Sequence, residues 1–443
     1  MPPPSLITQT TYAELLERSA AAAFRETFPE DGAFTSKLIK GRRYWYFQSS
    51  TGKGRSQRYV GPETRELLDR IHHHKEARDD EHERRALVST LIRSFNLPRP
   101  IPEIGDTVAA LAKAGVFRLR GVLVGTVAYQ TYSAMLGCRL PASILQTGDI
   151  DIAQFRNVSI AMKDQIPPIL DVLKTVDGTF RAVPHSSDNR RSTSYMAKSG
   201  LRIDFLMPNE GPDDEAPQSL PALQTDAQPL RFLDYLIHEP EAAVILHNAG
   251  IYVHVPAPER YAVHKLIIAQ RRPTGLAKRD KDIRQVEALL EVLTQKRPHE
   301  LKSAWNEAYR RGKAWRELMI ITLVAIAPRS RDALLKLIEQ PRRFLPELRL
   351  EFGERQPRYE FDRDVVVFMA KDVGGDVHCE ISREALEDHF GGDGLDREGR
   401  VELFRKNRSK IEHMVHTKYL SWPVEEPGVV LIKTNDVPRL LNK

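Results

Sequence analysis

Two aspartates separated by one residue form the first candidate site for chemistry in this chain. Asp149-Ile150-Asp151 ends a stretch with strand-like alternation, and residues i and i+2 of a strand lie on the same face. The two carboxylates would therefore project side by side, while Ile150 faces the other way. Neighbouring carboxylates repel each other, and a divalent cation between them relieves the repulsion. The spacing predicts a metal-binding strand end at Asp149 and Asp151.

A third aspartate lies well downstream in another apolar stretch. Asp204 stands between Ile203 and Phe205 in the sequence LRIDFLMP, which is otherwise mostly apolar. A buried carboxylate is costly, so an apolar strand rarely carries one unless a partner or a metal satisfies it. We therefore expect Asp204 to join the first two aspartates in one site.

Upstream of the acids, Gly125-Thr126 stands where the apolar run from Val122 to Val124 meets a helix-like segment. The first N–H groups of a helix and the positive end of its dipole attract an anion. Glycine at this position lets the anion approach the backbone closely. The pair predicts a phosphate-binding turn beside the acids.

The elements that must position these residues alternate between strands and helices from Glu103 onward. We therefore predict an α/β (α+β) fold with a mixed sheet. After Pro258 the pattern is helical to about Glu339. The predicted elements of the core are strands 117–124, 143–153 and 180–184, helices 107–114, 126–136 and 168–176, and a hairpin of 192–197 with 201–207.

Breaks in these patterns, often at proline-rich turns, predict four domains. They are an N-terminal part with a helix, a basic hairpin and a charged helix (1–99), a catalytic core (100–256), a helical domain (257–345) and a small α/β accessory domain (350–443).

The amino-acid composition excludes several classes of protein. The 443 residues are 41% apolar and 28% charged, with a net charge of +6, which predicts a folded protein with a weak preference for polyanions. Two distant cysteines, Cys138 and Cys379, exclude a disulfide framework and a cysteine zinc site. Without a membrane-length apolar run or a secretory N-terminus, we expect a cytoplasmic protein with no membrane partner. The oligomeric state stays open.

The predicted N-terminal hairpin, with strands 43–48 and 56–60, mixes basic and aromatic residues, and no acid lies between Asp31 and Glu63. Such a surface suits phosphate contact and base stacking. The alternative is a solvated hairpin whose aromatic side chains dock on a core. The residues concerned are Lys37, Lys40, Arg42, Arg43, Lys53, Arg55, Arg58, Tyr44, Trp45, Tyr46 and Tyr59.

The order of these motifs resembles the nucleotidyltransferase superfamily of the DNA polymerase beta type. The family pattern is carried here by Val124-Gly125-Thr126, Asp149-Ile150-Asp151 and Asp204, with Thr126 in place of Gly or Ser. Longer stretches, including RLRGVLVGTVAYQTY and TGDIDIAQF, resemble a bacterial branch of uncharacterised nucleotidyltransferase-like proteins. The segment from about 350 resembles a small bacterial domain of unknown function.

The resemblance implies metal-dependent transfer of an NMP from an NTP, such as ATP, to a macromolecular hydroxyl, with release of pyrophosphate. Two Mg²⁺ ions, with Mn²⁺ as an alternative, would be held by Asp149, Asp151 and Asp204. Asp204 would also take the proton of the acceptor hydroxyl.

The resemblance also implies nucleotide-binding residues. Gly125 and Thr126 would contact the β- and γ-phosphates. Lys265, on a helix after the core, would lie near the triphosphate, and Lys281 stands at a family-like position. For both lysines a solvated helix position is the alternative.

The acceptor would be an RNA end or a protein, and the resemblance places such enzymes in toxin–antitoxin or defence systems. A catalytically silent fold that acts as a nucleic-acid-binding or regulatory protein is the alternative. A third interpretation is a small-molecule enzyme of the antibiotic-adenylating kind. Mg–NTP binding that depends on Asp149 and Asp151 distinguishes the active from the silent protein.

Overall fold

A computed structural model of the chain describes residues 6–27, 33–39, 41–51, 54–73, 81–141, 148–162, 164–209, 211, 216–271, 277–345 and 348–441. The chain forms two compact units, Met1–Pro258 and Glu259–Lys443. The mixed helices and sheets confirm the predicted α/β class. The division into four domains stays a prediction.

The first unit is built around a mixed sheet, with helices before, between and after its strands. Its helices are α1 Leu6–Thr27, α2 Arg65–His73, α3 Glu81–Arg93, α4 Pro102–Ala114, α5 Gly125–Met135, α6 Arg156–Ala161, α7 Ile169–Lys174 and α8 Leu233–Leu236. Its strands are β1 Ala33–Ile39, β2 Arg42–Thr51, β3 Gly54–Pro62, β4 Val122–Val124, β5 Asp149–Ala153, β6 Arg181–Val183, β7 Ser194–Met196, β8 Arg202–Pro208, β9 Gln218–Leu220, β10 Thr225–Leu230, β11 Glu241–Ile245 and β12 Ile251–Val255.

The described strands of the central sheet follow the order β4-β5-β8-β10-β9, with β7 beside the first half of β8 and β6 beside β7. Strands β5 and β8 are parallel neighbours, and β4 is antiparallel to β5. One face of this pair is fully buried, which explains its apolar alternation. The side chains on that face are Ile150, Ile152, Ile203 and Phe205.

The predicted strand 117–124 is wrong over most of its length, because only Val122–Val124 is a strand. The chain turns just before it, with a φ of 64° at Arg120 and a hydrogen bond of 2.9 Å from Gly121 N to Val116 O. A Cβ on Gly121 would lie 2.8 Å from that same oxygen. The tight turn therefore requires glycine and shortens the strand. Of the predicted strand 143–153, residues 143–147 lie outside the described residues.

The N-terminal hairpin is part of a larger sheet, since β1 pairs with β2 and β2 with β3. The prediction missed β1, whose Phe34 packs on Phe47 of β2 with ring centres 5.0 Å apart. Phe24 of α1 stacks on Phe34 at 5.4 Å. Lys40 and Lys53, which belong to the predicted basic set, lie outside the described residues.

Helices of the N-terminal part share a core with later elements of the first unit. Tyr12 of α1 is buried, and its hydroxyl accepts a hydrogen bond of 3.1 Å from Val244 N of β11. One apolar cluster joins α1, α3, α5 and β11. Its buried members are Tyr12, Leu15, Val88, Leu91, Leu97, Ala134, Val244 and Leu246.

The second unit begins with a helical run, as predicted, and continues into a small sheet with further helices. Its helices are α9 Pro258–Arg271, α10 Ala277–Lys296, α11 Pro298–Arg310, α12 Lys313–Val324, α13 Pro328–Leu337, α14 Arg383–Phe390, α15 Arg397–Lys406, α16 Arg408–Ser421 and α17 Val437–Leu441. Its strands are β13 Glu351–Phe352, β14 Arg358–Glu360, β15 Val365–Asp372, β16 Gly375–Ser382 and β17 Val429–Ile432.

A buried ionic network joins the helical run of the second unit to its sheet. Arg331 of α13 is fully buried and lies 2.5 Å from the carboxylate of Asp372 at the end of β15. Asp332 accepts two hydrogen bonds from Arg342, at 2.9 and 3.1 Å. Because a buried charge is tolerated only when it is paired, this network fixes the two parts together. Among the helices described, none is long and apolar enough to cross a membrane.

Candidate active site

The three predicted aspartates lie on one face of the central sheet. Asp149 and Asp151 are on β5, and Asp204 is on the parallel neighbour β8. Asp151 is directly opposite Asp204, and Asp149 is opposite Arg202. Paired residues of adjacent strands share a face and are about 5 Å apart, so the three carboxylates form one cluster of negative charge together with one guanidinium. The predicted projection of Asp149 and Asp151 away from the buried Ile150 is confirmed.

Protein groups on the same face hold the carboxylate of Asp204. Ser194 Oγ of β7 donates a hydrogen bond to Asp204 Oδ1, and Arg202 Nε donates a second one of 2.8 Å to that oxygen. Arg202 Nη2 also lies 3.0 Å from Ser194 Oγ, which closes a triangle. The Arg202 side chain is 50% exposed, against 20% for Asp204, so this ion pair is open to solvent on one side.

The sequence reasoning missed both Arg202 and Ser194. Arg202 precedes Asp204 by two residues, so the strand period alone could have placed the two side chains on one face. Ser194 is opposite Asp204 across the hairpin of β7 and β8. Finding it would have required the register of the hairpin, which the turn sequence alone does not specify.

Gly125 stands where β4 ends and α5 begins, so the predicted strand–helix junction is confirmed. Its φ is +67°, a conformation that side-chain-bearing residues rarely adopt. A Cβ at this position would lie 2.1 Å from Asp151 Oδ2. The carboxylate of Asp151 therefore lies against Gly125, the first residue of the helix. The predicted phosphate-binding turn and the predicted metal-binding acid are in direct proximity.

The donor set is of the right kind for Mg²⁺ or Mn²⁺, because these ions prefer carboxylate oxygens. Asp149 and Asp151 share a face, and Asp204 lies opposite Asp151 on the next strand. As they stand, no three acidic, histidine or cysteine side chains among the described residues are grouped closely enough to hold an ion. Asp204 in particular is turned toward Arg202 and Ser194.

The polar face continues along the sheet beyond Asp204. Gln228 of β10 is opposite Leu206, and His185 Nε2 lies 2.6 Å from Gln228 Oε1. The other ring nitrogen of His185 lies 2.8 Å from Ser187 Oγ. These two contacts hold the imidazole beside Gln228, on the strand that neighbours the strand of Asp204.

The two predicted lysines belong to the second unit. Lys265 of α9 is buried, and its Nζ lies 2.6 Å from Asp282 Oδ1 of α10; these side chains are 10% and 4% exposed. Lys265 also lies over the ring of Tyr261, 5.2 Å from its centre. Lys281 is half-buried near the start of α10. The solvated alternative does not describe Lys265, which is held in a buried ion pair.

Comparison with known proteins gives two matches along the chain. Residues 102–310 match a family described as nucleotidyltransferase. Residues 350–432 match a family described as a protein of unknown function (DUF1488). These two segments contain the acidic cluster and the small sheet of the second unit, respectively. A search of curated proteins found no match.

Proposed function

Because residues 102–310 match a family described as nucleotidyltransferase, we propose that this protein is a metal-dependent enzyme that transfers an NMP from an NTP to a macromolecular hydroxyl. The observation that carries the proposal is the contact between the helix-starting Gly125 and Asp151, with Asp149 beside it and Asp204 opposite. This combination supports the proposal, because the helix start proposed to bind phosphate and the carboxylates proposed to bind metal lie at one place on the sheet.

The three aspartates of the cluster would have different roles in catalysis. Asp149 and Asp151 would hold the divalent ions, and Asp204 would complete the site from the neighbouring strand. Bound Mg²⁺ would neutralise charge on the triphosphate and lower the pKa of the acceptor hydroxyl. The acceptor oxygen forms a bond to the α-phosphorus, and the bond from that phosphorus to the pyrophosphate oxygen breaks. Asp204 would take up the acceptor proton.

The helix start would bind the triphosphate. The N–H groups at Gly125 and Thr126 would meet the β- and γ-phosphates, aided by the positive end of the α5 dipole. Lys265 and Lys281 are proposed as further triphosphate-binding residues. For Lys265 this role requires exchange of its Asp282 partner for phosphate.

We propose an RNA end or a protein hydroxyl as the acceptor, in a toxin–antitoxin or defence context. The competing proposal is a silent nucleotidyltransferase fold that binds nucleic acid. The contact of Asp204 with Arg202 favours this alternative, because the carboxylate is satisfied there by a protein cation.

Labelled transfer and calorimetry test the proposal together. The full chain is incubated with each α-labelled NTP, Mg²⁺ and a cell extract, and Mg–NTP binding is measured by calorimetry. We expect Asp149→Asn and Asp151→Asn each to abolish transfer and to weaken Mg–NTP binding, because each removes a charged metal ligand. Asp171→Asn, an exposed aspartate on α7, is the matched control and should retain both.

Full transfer activity in either cluster variant would refute the assigned site. Label in no product, with any NTP and with no Mg–NTP binding, would instead favour the silent fold. Label in RNA or in protein identifies the acceptor class.

A further inference from the structure

The sheet of β1, β2 and β3 has two unlike faces. One face packs on α1 through Phe34, which also contacts the buried Phe47 of β2. Strand alternation and pairing put a second set of side chains on the opposite face, which we name the tyrosine face. It includes Lys37, Arg42, Tyr44, Tyr46 and Tyr59.

The three tyrosines form one continuous aromatic surface. The ring centre of Tyr59 lies 5.8 Å from that of Tyr46 and 6.4 Å from that of Tyr44. All three side chains are half-buried, so each keeps part of its surface open. Lys37 Nζ lies over the Tyr46 ring, 4.8 Å from its centre, where a cation is attracted by the ring. A base can stack on such rings without sequence preference, because every base has a π face.

Positive charge on the tyrosine face is not offset by neighbouring acids of the sequence. No acid lies between Asp31 and Glu63, and Glu63 itself contacts residues of the other face. Glu63 accepts a hydrogen bond of 3.0 Å from Trp45 Nε1 and lies 3.5 Å from Arg43 Nε. Lys37 and Arg42 are exposed, and Lys37 donates to the neutral Gln57 at 2.8 Å. Charge complementarity therefore favours a polyanion as the occupant.

The tyrosine face is tied to the turn that leads into the candidate active site. Arg118 Nη1 donates a hydrogen bond of 3.1 Å to Tyr59 O, and Arg120 interacts with the Tyr59 hydroxyl. Gly125 is five positions after Arg120, a distance of at most about 18 Å along an extended chain. A strand lying on the tyrosine face can therefore reach the acidic cluster within the same unit.

We propose that the tyrosine face binds a single-stranded polynucleotide, with bases stacked on Tyr44, Tyr46 and Tyr59 and phosphates on Lys37 and Arg42. A duplex is excluded as the preferred ligand, because its bases are stacked on each other and their faces are covered. The idea that the end of the bound polynucleotide reaches the acidic cluster and acts as the acceptor rests on the proposed nucleotidyl transfer. The binding of the polynucleotide does not rest on it.

Fluorescence anisotropy of the full chain tests binding without nucleotide or metal. The probes are fluorescein-labelled single strands of RNA and of DNA, about 15 nucleotides long, and a duplex of the same length. We expect both single strands to bind more tightly than the duplex. Tyr44→Ala with Tyr46→Ala should weaken binding about 100-fold, at about tenfold for each lost stacking partner. Tyr44→Phe with Tyr46→Phe keeps the rings and should bind as the native chain does.

The charged residues are tested through salt dependence. For single strands each neutralised phosphate contributes about 0.7 to the slope of log K against log salt. Lys37→Ala with Arg42→Ala should therefore reduce the slope by about 1.4. The matched control, Lys313→Ala with Lys410→Ala, removes two exposed lysines of the second unit and should leave the slope unchanged. Equal losses in both pairs would show a diffuse charge effect and overturn the assigned surface.

The inference also fails if neither single strand binds, if the duplex binds as tightly, or if the alanine pair at Tyr44 and Tyr46 binds normally. Asp171→Asn, on α7, should bind the single strand as the native chain does, since it lies outside the tyrosine face. Binding by a native chain that transfers no label would refute the proposed transfer and leave the tyrosine face supported. Transfer of label without polynucleotide binding would refute the assignment of the tyrosine face and leave the proposed transfer supported.

Discussion

Replacement of Gly125 by alanine is the sharpest perturbation of the candidate active site, because a single methyl group there meets Asp151. Gly125 has a φ of +67°, and a Cβ would lie 2.1 Å from Asp151 Oδ2. Ordinary contact begins near 3.4 Å, so the carboxylate or the helix start must move by about 1.3 Å. Both groups are proposed to contact the Mg–NTP complex. The variant therefore displaces a proposed metal ligand without changing any charge.

Two costs follow from this geometry, and they differ in size. Left-handed backbone costs a residue with a Cβ about 1–3 kcal/mol of folding stability. Misplacement of a reacting group by about 1 Å costs about 100-fold in rate. We expect Gly125→Ala to remain folded, to lose about 2 kcal/mol in urea unfolding, and to lose about 100-fold in labelled transfer.

Two further variants distinguish the cost of the left-handed backbone from the steric clash between the Cβ and Asp151. Asparagine tolerates the left-handed region better than alanine but carries the same Cβ. Gly125→Asn should therefore recover stability and not activity. Gly148→Ala, one residue before Asp149, is the matched control, because a Cβ at Gly148 meets nothing within 4 Å. Transfer by Gly125→Ala at the native rate, or rescue of transfer by Gly125→Asn, would refute the reasoning.

The remaining predictions concern buried ionisable groups. Burial, helped by the charges of Arg120 and Arg70, lowers the pKa of His254 to about 4. In the unfolded chain His254 becomes protonated below pH 6.5, whereas in the folded chain it stays neutral until about pH 4. The free energy of unfolding should therefore fall by about 3 kcal/mol as the pH is lowered from 6.5 to 4. His254→Gln should flatten this dependence in urea unfolding at successive pH values; an unchanged slope would contradict it. Lys265→Met should cost about 3–5 kcal/mol by leaving Asp282 buried without its partner, and adding Asp282→Leu should restore stability. If the double variant folds and still binds Mg–ATP as the native chain does in calorimetry, Lys265 is structural and not a triphosphate ligand.

The parts of the site that sequence alone predicted depend only on local geometry. The shared face of Asp149 and Asp151 follows from the strand period, which holds whatever the strand packs against. The place of Gly125 follows from the change of period between an apolar run and a helix. The buried isoleucines on the reverse face follow from the same alternation. For these residues the tertiary fold added the partner strand β8 and little else.

The parts that sequence missed depend on contacts between distant residues. Strand β1 has little apolar alternation, and it is stabilised by the packing of Phe34 on Phe47 and Phe24. The stretch before β4 reads as strand, and it turns instead because Gly121 closes tightly on Val116. The partner of Asp204 was missed for a different reason. The strand period could have placed Arg202 on the face of Asp204, whereas Ser194 could be found only from the register of the hairpin.

The contact between Asp151 and Gly125 also links the proposed phosphate site at the start of α5 to the proposed metal site at the aspartates. A phosphate that approached the start of α5 would meet the carboxylate of Asp151 at close range, since that carboxylate already lies against Gly125. Two anions this close repel each other strongly in a partly dry site. A divalent cation between them removes the repulsion and attracts both. We therefore propose that phosphate binding at the turn and metal binding at the acids are one event, with the metal–nucleotide complex as the ligand.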